Sequence, residues 1–392
     1  MRVVFIGGWF HGKGDDFHLR ELSREVELIV YGHQVGGQNG TVRAAADHQD
    51  LCDFCAFREL EPVYPRVPRG PRLWYYRQLG HALDEDRPDV LHVLTEPWQL
   101  LALQASRWAS RHPETALVMH NSDRNWWTVR RGRRFGRRLI ARRTFSRADG
   151  FVSESTGGVR EALELGVANG AVTQAVIMNP RSPSLFRPPV DGAERRAARE
   201  QLGLPLEGTG VAYLGRLSVE KGPLLFLEAF GQAASLSSAP LWAAVAGTGP
   251  QEAEVAAKAG PHVFLLGAVK YPDDVATLLQ AVDMLAMPSV RVGQWEEQAP
   301  RAVVEAMLSG CLVVGTPVGG IPEMLGDTGI VVADQTPAAL ADGIVRAASD
   351  PEVASLRASA RTRAIEVYSS ESAANALLQV WEQALDTRRK AA

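Results

Sequence analysis

Short, nearly continuous apolar runs alternate with helix-like stretches along almost the whole chain, and one proline- and serine-rich segment interrupts the alternation near the middle. Before the interruption the runs fall at residues 3–6, 26–31, 90–94, 116–120 and 151–153, with helical patterns near 16–24 and 72–86. A strand that is apolar at every position, rather than at every second one, is buried on both faces. Such strands separated by helices form a parallel sheet with helices on either side. The segment NPRSPSLFRPPV at 179–190 has neither periodicity and is expected to be an interdomain linker. The alternation then resumes at 211–214, 242–246, 263–266, 284–287, 312–314 and 330–332. The fold class expected is α/β, with Rossmann-like doubly wound domains at 1–185 and 190–370 and a final helix within 371–392 that crosses back to the first. Tandem doubly wound sheets place a ligand cleft between them, because each sheet binds at the carboxyl ends of its strands.

A chain of 392 residues is too long for one ordinary core. With 46% hydrophobic residues, 22% charged residues and a net charge of -3, it can fill two cores and has no global bias toward nucleic acid, so partners must be read from local sites. It contains no stretch of about 18 uncharged apolar residues, and MRVVFIGG runs directly into a strand; a cytoplasmic protein is expected. Cys52, Cys55 and Cys311 are too few for a disulfide framework. His48 with Cys52 and Cys55 admits a zinc reading that lacks a fourth ligand nearby, the alternative being reduced thiols. Only five of the 42 basic residues are lysines, which makes each lysine more informative.

GRLSVEKG at 215–222 follows a predicted buried strand and opens a predicted helix reaching about residue 234. Amides at a helix start attract anions, and flanking cations add to that preference, so Arg216 and Lys221, with Gly215, are read as a diphosphate grip. The alternative is a solvated turn carrying routine charges. Further on, WEEQAPRAVVEAM at 295–307 places Pro300 at the expected first helical position, Glu305 in the second turn and Glu297 on the preceding loop. Carboxylates accept hydrogen bonds from pairs of hydroxyls, which suits ribose and hexose; Glu305 standing alone would be an ordinary surface residue. Arg301, at the same helix start, joins the candidate donor-binding set. The loop GGWFHGKGDD keeps Gly12 and Gly14, where backbone could approach a phosphate or an acceptor, but it is not the G-x-G-x-x-G of a nicotinamide site.

These elements, with AGTGP at 246–250, FLLGAV at 264–269, MPS at 287–289 and AMLSG and TPVGGIPE after the Glu297-x7-Glu305 pair, keep an order that resembles family 4 of the retaining glycosyltransferases, which have the GT-B fold. The resemblance covers nearly all of the second half and is looser in the first. It implies that Arg216 and Lys221 hold the donor diphosphate, that Glu297 touches the donor sugar, that Glu305 binds the ribose hydroxyls and that His120 lies beside the transferred sugar. A histidine at a strand end can equally be a structural hydrogen-bonder. Many relatives have Phe-Gly where this chain has Ala299-Pro300, and proline has no amide to offer a sugar.

The implied chemistry needs no cofactor beyond a nucleotide-sugar co-substrate, UDP before GDP, and no metal: two cations can meet the charge growing on the leaving diphosphate. Retention is implied by same-face attack, the departing phosphate taking the acceptor's proton. Asp84-Glu85-Asp86 superficially offers an Asp-x-Asp metal signature and is read as a solvated helix cap. Asn121, Asp123 and Trp126, with Asn125 and Trp127, are candidate acceptor contacts for a small molecule, an oligosaccharide or a lipid, in natural-product or cell-envelope synthesis. Between Arg130 and Arg143 eight arginines form a basic helix suited to a phosphorylated acceptor, an anionic membrane surface or plain solvent. Rival readings are a same-fold epimerase or phosphorylase, and a noncatalytic sugar-nucleotide binder, which the Ala299-Pro300 departure favours.

Overall fold

A computed structural model of the protein describes residues 1–7, 17–32, 53–63, 74–121, 131–164, 173–293 and 295–391. They form two compact units, Met1–Pro180 together with Ser370–Ala392, and Arg181–Ser369.

The first unit is built on strands β1 (Arg2–Gly7), β2 (Glu27–Gly32), β3 (Ala56–Glu59), β6 (Val90–Leu94), β7 (Ala116–Asn121), β8 (Gly150–Ser153) and β9 (Thr173–Val176). They pair in parallel in the order β3-β2-β1-β6-β7-β8-β9. A short antiparallel pair, β4 (Pro62–Val63) with β5 (Tyr75–Tyr76), stands apart. β1, β6, β7 and β8 are buried almost throughout, which is why they read as unbroken apolar runs. One face of the sheet packs around Leu83, Leu101, Phe145 and Phe151. The other packs Val3, Phe5 and Val118 against Leu377, Trp381 and Ala384 of the final helix, Ser370–Ala391. Gly150 is what lets that helix close on β8: a Cβ there would lie 3.0 Å from Val380.

The second unit carries β10 (Thr209–Leu214), β11 (Leu241–Ala246), β12 (Val263–Gly267), β13 (Met284–Met287), β14 (Leu312–Gly315) and β15 (Ile330–Val331), all parallel in the order β12-β11-β10-β13-β14-β15. Its core joins Tyr213, Phe226, Phe230, Leu312 and Ile344.

Two local expectations change. The helix expected over 72–86 spans only Leu79–Asp86, because Tyr75 and Tyr76 pair with Pro62 and Val63 instead. β3, whose end residues are exposed, and β9 close the two edges of the sheet; such short edge strands carry polar residues and give no continuous apolar run. Residues 181–190, expected as linker, belong to the second unit, where Arg181 and Phe186 are buried. The carboxylates read as a solvated cap end the helix, with Asp84 and Glu85 exposed; Asp84 accepts from Trp108 Nε1 (2.7 Å), Glu85 from Arg58 (2.8 Å) and Asp86 from the Tyr31 hydroxyl.

Candidate functional site

In the second unit the strand order reverses between β10 and β13, the switch point at which a doubly wound sheet binds its ligand. GRLSVEKG follows β10, the 288–290 segment follows β13, and the two are stitched together. Val290 N donates to Glu220 O at 3.0 Å, and Leu217 N donates to Thr248 O of the β11 loop at 2.9 Å. Glycine is required at two of these crossings. Gly222, at φ 64°, would place a Cβ 2.0 Å from Pro288 O, and Gly247, at φ 143°, would place one 1.8 Å from Gly215 O.

Lys221 ends a 3-10 turn (Val219–Lys221) rather than opening the long helix, which begins at Pro223. Its Nζ lies 2.8 and 2.6 Å from Oε1 and Oε2 of Glu297. Ser289 Oγ donates to Glu297 Oε2 at 2.8 Å, and the Trp295 ring centre is 5.2 Å from the ammonium. The Glu297 side chain is 6% exposed and that of Lys221 29%. An ammonium has three N–H donors, of which Glu297 engages up to two, leaving at least one for an anionic oxygen. The turn after β14 clamps the glutamate's backbone: Gly320 N donates to Glu297 O at 2.9 Å, and a Cβ on Gly319 would lie 1.8 Å from that oxygen.

Arg216 is exposed and its guanidinium makes no hydrogen bond or ion pair among the described residues. Its carbonyl accepts from the Tyr213 hydroxyl at 2.8 Å, a phenol that burial keeps protonated by raising its pKa. The Ser218 hydroxyl, donating at 2.7 Å, is the main cause holding Glu220 below the usual carboxylate range, with smaller help from Arg216 and Lys221.

Pro300 is the N-cap of the helix Arg301–Leu308, not its first residue, and no side chain caps that end. Glu305 lies in the second turn but faces the interior. Its Oε1 accepts from Arg181 Nε at 3.1 Å, the two side chains being 4% and 2% exposed. Arg181 was not among the residues singled out from the sequence; its position in a proline-rich stretch hid it. Arg301 lies over the Tyr271 ring, 5.6 Å from its centre.

In the first unit, His120 is the penultimate residue of β7 and is buried, with Asn121 buried at the strand's end. His120 Nδ1 is 3.1 Å from His92 Nε2, and Trp381 Nε1 donates to His92 Nδ1 at 3.0 Å. Phe5 stacks on the His92 ring at 4.3 Å. His120 Nε2 has no hydrogen-bond partner among the described residues. Burial is the main cause lowering both imidazoles, His92 well below the ordinary value and His120 to about 3, with His18 contributing to each. Gly12, Gly14, Asp123, Asn125, Trp126, Trp127, His48, Cys52 and Arg130 lie outside the described residues. The basic helix spans Arg131–Phe145; it buries Ala141 and Phe145 and exposes Arg138, Leu139, Arg142 and Arg143.

Residues 208–350 match the family described as glycosyl transferases group 1, and residues 18–179 match the glycosyl transferase 4-like domain. The chain belongs to the group 1 glycosyltransferases of the family 4 type. Among curated relatives of the chain, the D-inositol 3-phosphate glycosyltransferase of Mycobacterium leprae is 30% identical over 213 residues, covering 51% of this chain and 47% of the relative. That of Corynebacterium urealyticum is 25% identical over 299 residues, covering 72% and 68%. The chain thus spans about half the length of the first of these relatives. Among solved structures, HepE of Anabaena in complex with UDP aligns over 97% of this chain and 99% of that chain at a TM-score of 0.73 and 18% identity. Sucrose-phosphate synthase of Thermosynechococcus elongatus aligns over 98% and 99% at a TM-score of 0.64 and 18% identity. The fold expected from the sequence, GT-B with two Rossmann-like units, is the fold the chain has. No helix among the described residues is long and apolar enough to cross a membrane.

Proposed function

We propose that this glycosyltransferase moves a sugar, with retention and without a metal ion, from a UDP-sugar to a small phosphate-bearing acceptor. The observation that carries the reading is the Lys221–Glu297–Ser289 cluster at the switch point of the second unit's sheet, beside the exposed Arg216. As the bond from the anomeric carbon to the diphosphate breaks, negative charge grows on the leaving oxygen and the sugar becomes oxocarbenium-like. Arg216 and the remaining N–H of Lys221 meet that charge. Glu297, held by three groups on separate loops, accepts from sugar hydroxyls, and Glu305, oriented by Arg181, accepts from the ribose. His120 contacts the transferred sugar. Double displacement would require a carboxylate poised beneath the anomeric carbon, and Glu297 is already committed to Lys221 and Ser289. The acceptor oxygen therefore attacks on the face the diphosphate leaves, and its proton passes to the departing phosphate.

UDP is supported by the UDP-bound relative of the same fold. A phosphate-bearing acceptor is supported by the exposed arginines on the Arg131–Phe145 helix. Calorimetric titration with UDP and GDP, followed by anomer-resolved product analysis with UDP-hexoses and a phosphorylated polyol, tests the reading. UDP binding tighter than GDP and an α-linked product from an α-linked donor are expected. Absence of binding by either nucleotide, or an inverted product, refutes it. A noncatalytic binder is the reading the Ala299-Pro300 departure favours; slow hydrolysis of the donor by wild-type protein, lost in Lys221→Met, excludes that alternative.

A further inference from the structure

Trp381 Nε1 can only donate, so the His92 Nδ1 that it faces at 3.0 Å is an unprotonated acceptor. A neutral imidazole with a bare Nδ1 carries its proton on Nε2, and that nitrogen lies 3.1 Å from His120 Nδ1. The His120 Nδ1 is in turn an acceptor, which leaves its proton on Nε2. This Nε2–H is buried near the carboxyl end of β7 with no protein partner among the described residues. A buried N–H without an acceptor is rare and calls for a ligand oxygen.

We propose that Trp381 and His92 are positioning residues that fix His120 as a neutral Nε2–H donor, aimed at an oxygen of the transferred sugar. The sugar as recipient rests on the function proposed above; the proton's position rests only on the relay. Protonating His92 would set an N–H against the Trp381 N–H, and protonating His120 would set two N–H groups face to face. The relay thus excludes the cationic forms, in the same direction as burial and as the nearby His18. Phe5, stacked on His92 at 4.3 Å, keeps the middle ring from turning. The device links residues 92, 120 and 381 through strands β6 and β7 and the final helix.

Long-range ¹H–¹⁵N correlation spectra of the full chain, with ¹⁵N-labelled histidine and resonances assigned through His92 and His120 variants, read the tautomer directly. The wild type is expected to show His120 protonated at Nε2. Trp381→Phe keeps the ring but removes the donor; it should move proton density to His120 Nδ1 and lower kcat/KM about tenfold while leaving UDP affinity unchanged. Wild-type His120 protonated at Nδ1, or a tautomer unmoved in Trp381→Phe, overturns the proposal. If Trp381→Phe does not fold, His92→Gln and His92→Leu take its place. Glutamine can accept from Trp381 and donate to His120 and should retain the Nε2–H form, whereas leucine should lose it. A shifted tautomer with unchanged kcat/KM overturns the positioning role. Failure of wild-type protein to transfer sugar at all refutes the function instead, and leaves the tautomer measurement to decide the relay.

Discussion

Replacing Glu297 by glutamine should tighten UDP binding while crippling transfer, so that two partners of one ion pair respond in opposite directions. In the structure Lys221 Nζ contacts both oxygens of Glu297 at 2.8 and 2.6 Å. A phosphate oxygen bound to the far side of the same ammonium would stand roughly 5.5 Å from the carboxylate, given a bond of about 2.8 Å on each side. Two unit charges at that separation repel by about 3 kcal/mol at an effective dielectric near 20. Lys221 is 29% exposed, and solvent screening roughly halves the effect to about 1.5 kcal/mol. That corresponds to about tenfold tighter UDP. Lys221→Met removes a charge-assisted hydrogen bond, worth about 1.5–3 kcal/mol, and should weaken UDP roughly 10- to 100-fold. With the lysine gone, the gain from Glu297→Gln should fall to a small remainder, and a calorimetric double-mutant cycle would report the coupling. Transfer should drop by at least about 100-fold in Glu297→Gln, because a hydroxyl-positioning carboxylate is lost. Glu297→Gln that loses UDP affinity as Lys221→Met does would refute this account, since the carboxylate would then be a ligand-side scaffold rather than a competitor for the ammonium.

Other perturbations address separate features. Gly319→Ala forces a Cβ to within 1.8 Å of the Glu297 carbonyl, so kcat/KM should fall at least about 100-fold with UDP affinity changed far less; equal losses in both would contradict a local effect. Arg181→Met leaves a buried Glu305 without its ion-pair partner at a cost of about 3–5 kcal/mol, and thermal unfolding should shift down by about 10 °C and partly recover in Arg181→Met/Glu305→Gln. His120 titrates at about 3 in the folded protein and near 6.5 when unfolded, so the unfolded chain binds more protons between those values. Its contribution is therefore complete above pH 6.5 and should decline on acidification by about 1.4 kcal/mol per pH unit. A urea midpoint whose pH slope is unchanged in His120→Gln would argue against it.

The parallel sheets were legible because their central strands are apolar at every position, a pattern that only double-sided burial requires. β3 and β9 were not, because a strand at a sheet edge meets solvent and its sequence shows it. Lys221 and Glu297 could be singled out from residue type and motif order, yet nothing local announces that they form one ion pair: 76 positions separate them, and the contact depends on where two loops cross. Glu305 could likewise be singled out from its place near a helix start, but its ion-pair partner could not, because Arg181 stands 124 positions away in a stretch without periodicity. His120 was marked as a strand-end histidine, but its protonation pattern needs Trp381, at the far end of the chain.

The final helix has a consequence for biosynthesis. On the ribosome the first unit's strands emerge before the second unit, yet Val3, Phe5 and Val118 acquire Leu377 and Trp381 as cover only after the whole second unit has been read. The second unit is complete earlier, its ends already joined where Arg181 N donates to Tyr368 O at 3.0 Å. The nascent protein therefore holds an open sheet face while a whole globule is translated and folds behind it. A premature stop just before Ser370 would release a chain with an intact second unit and an uncovered hydrophobic sheet on the first, a substrate for chaperones and proteases.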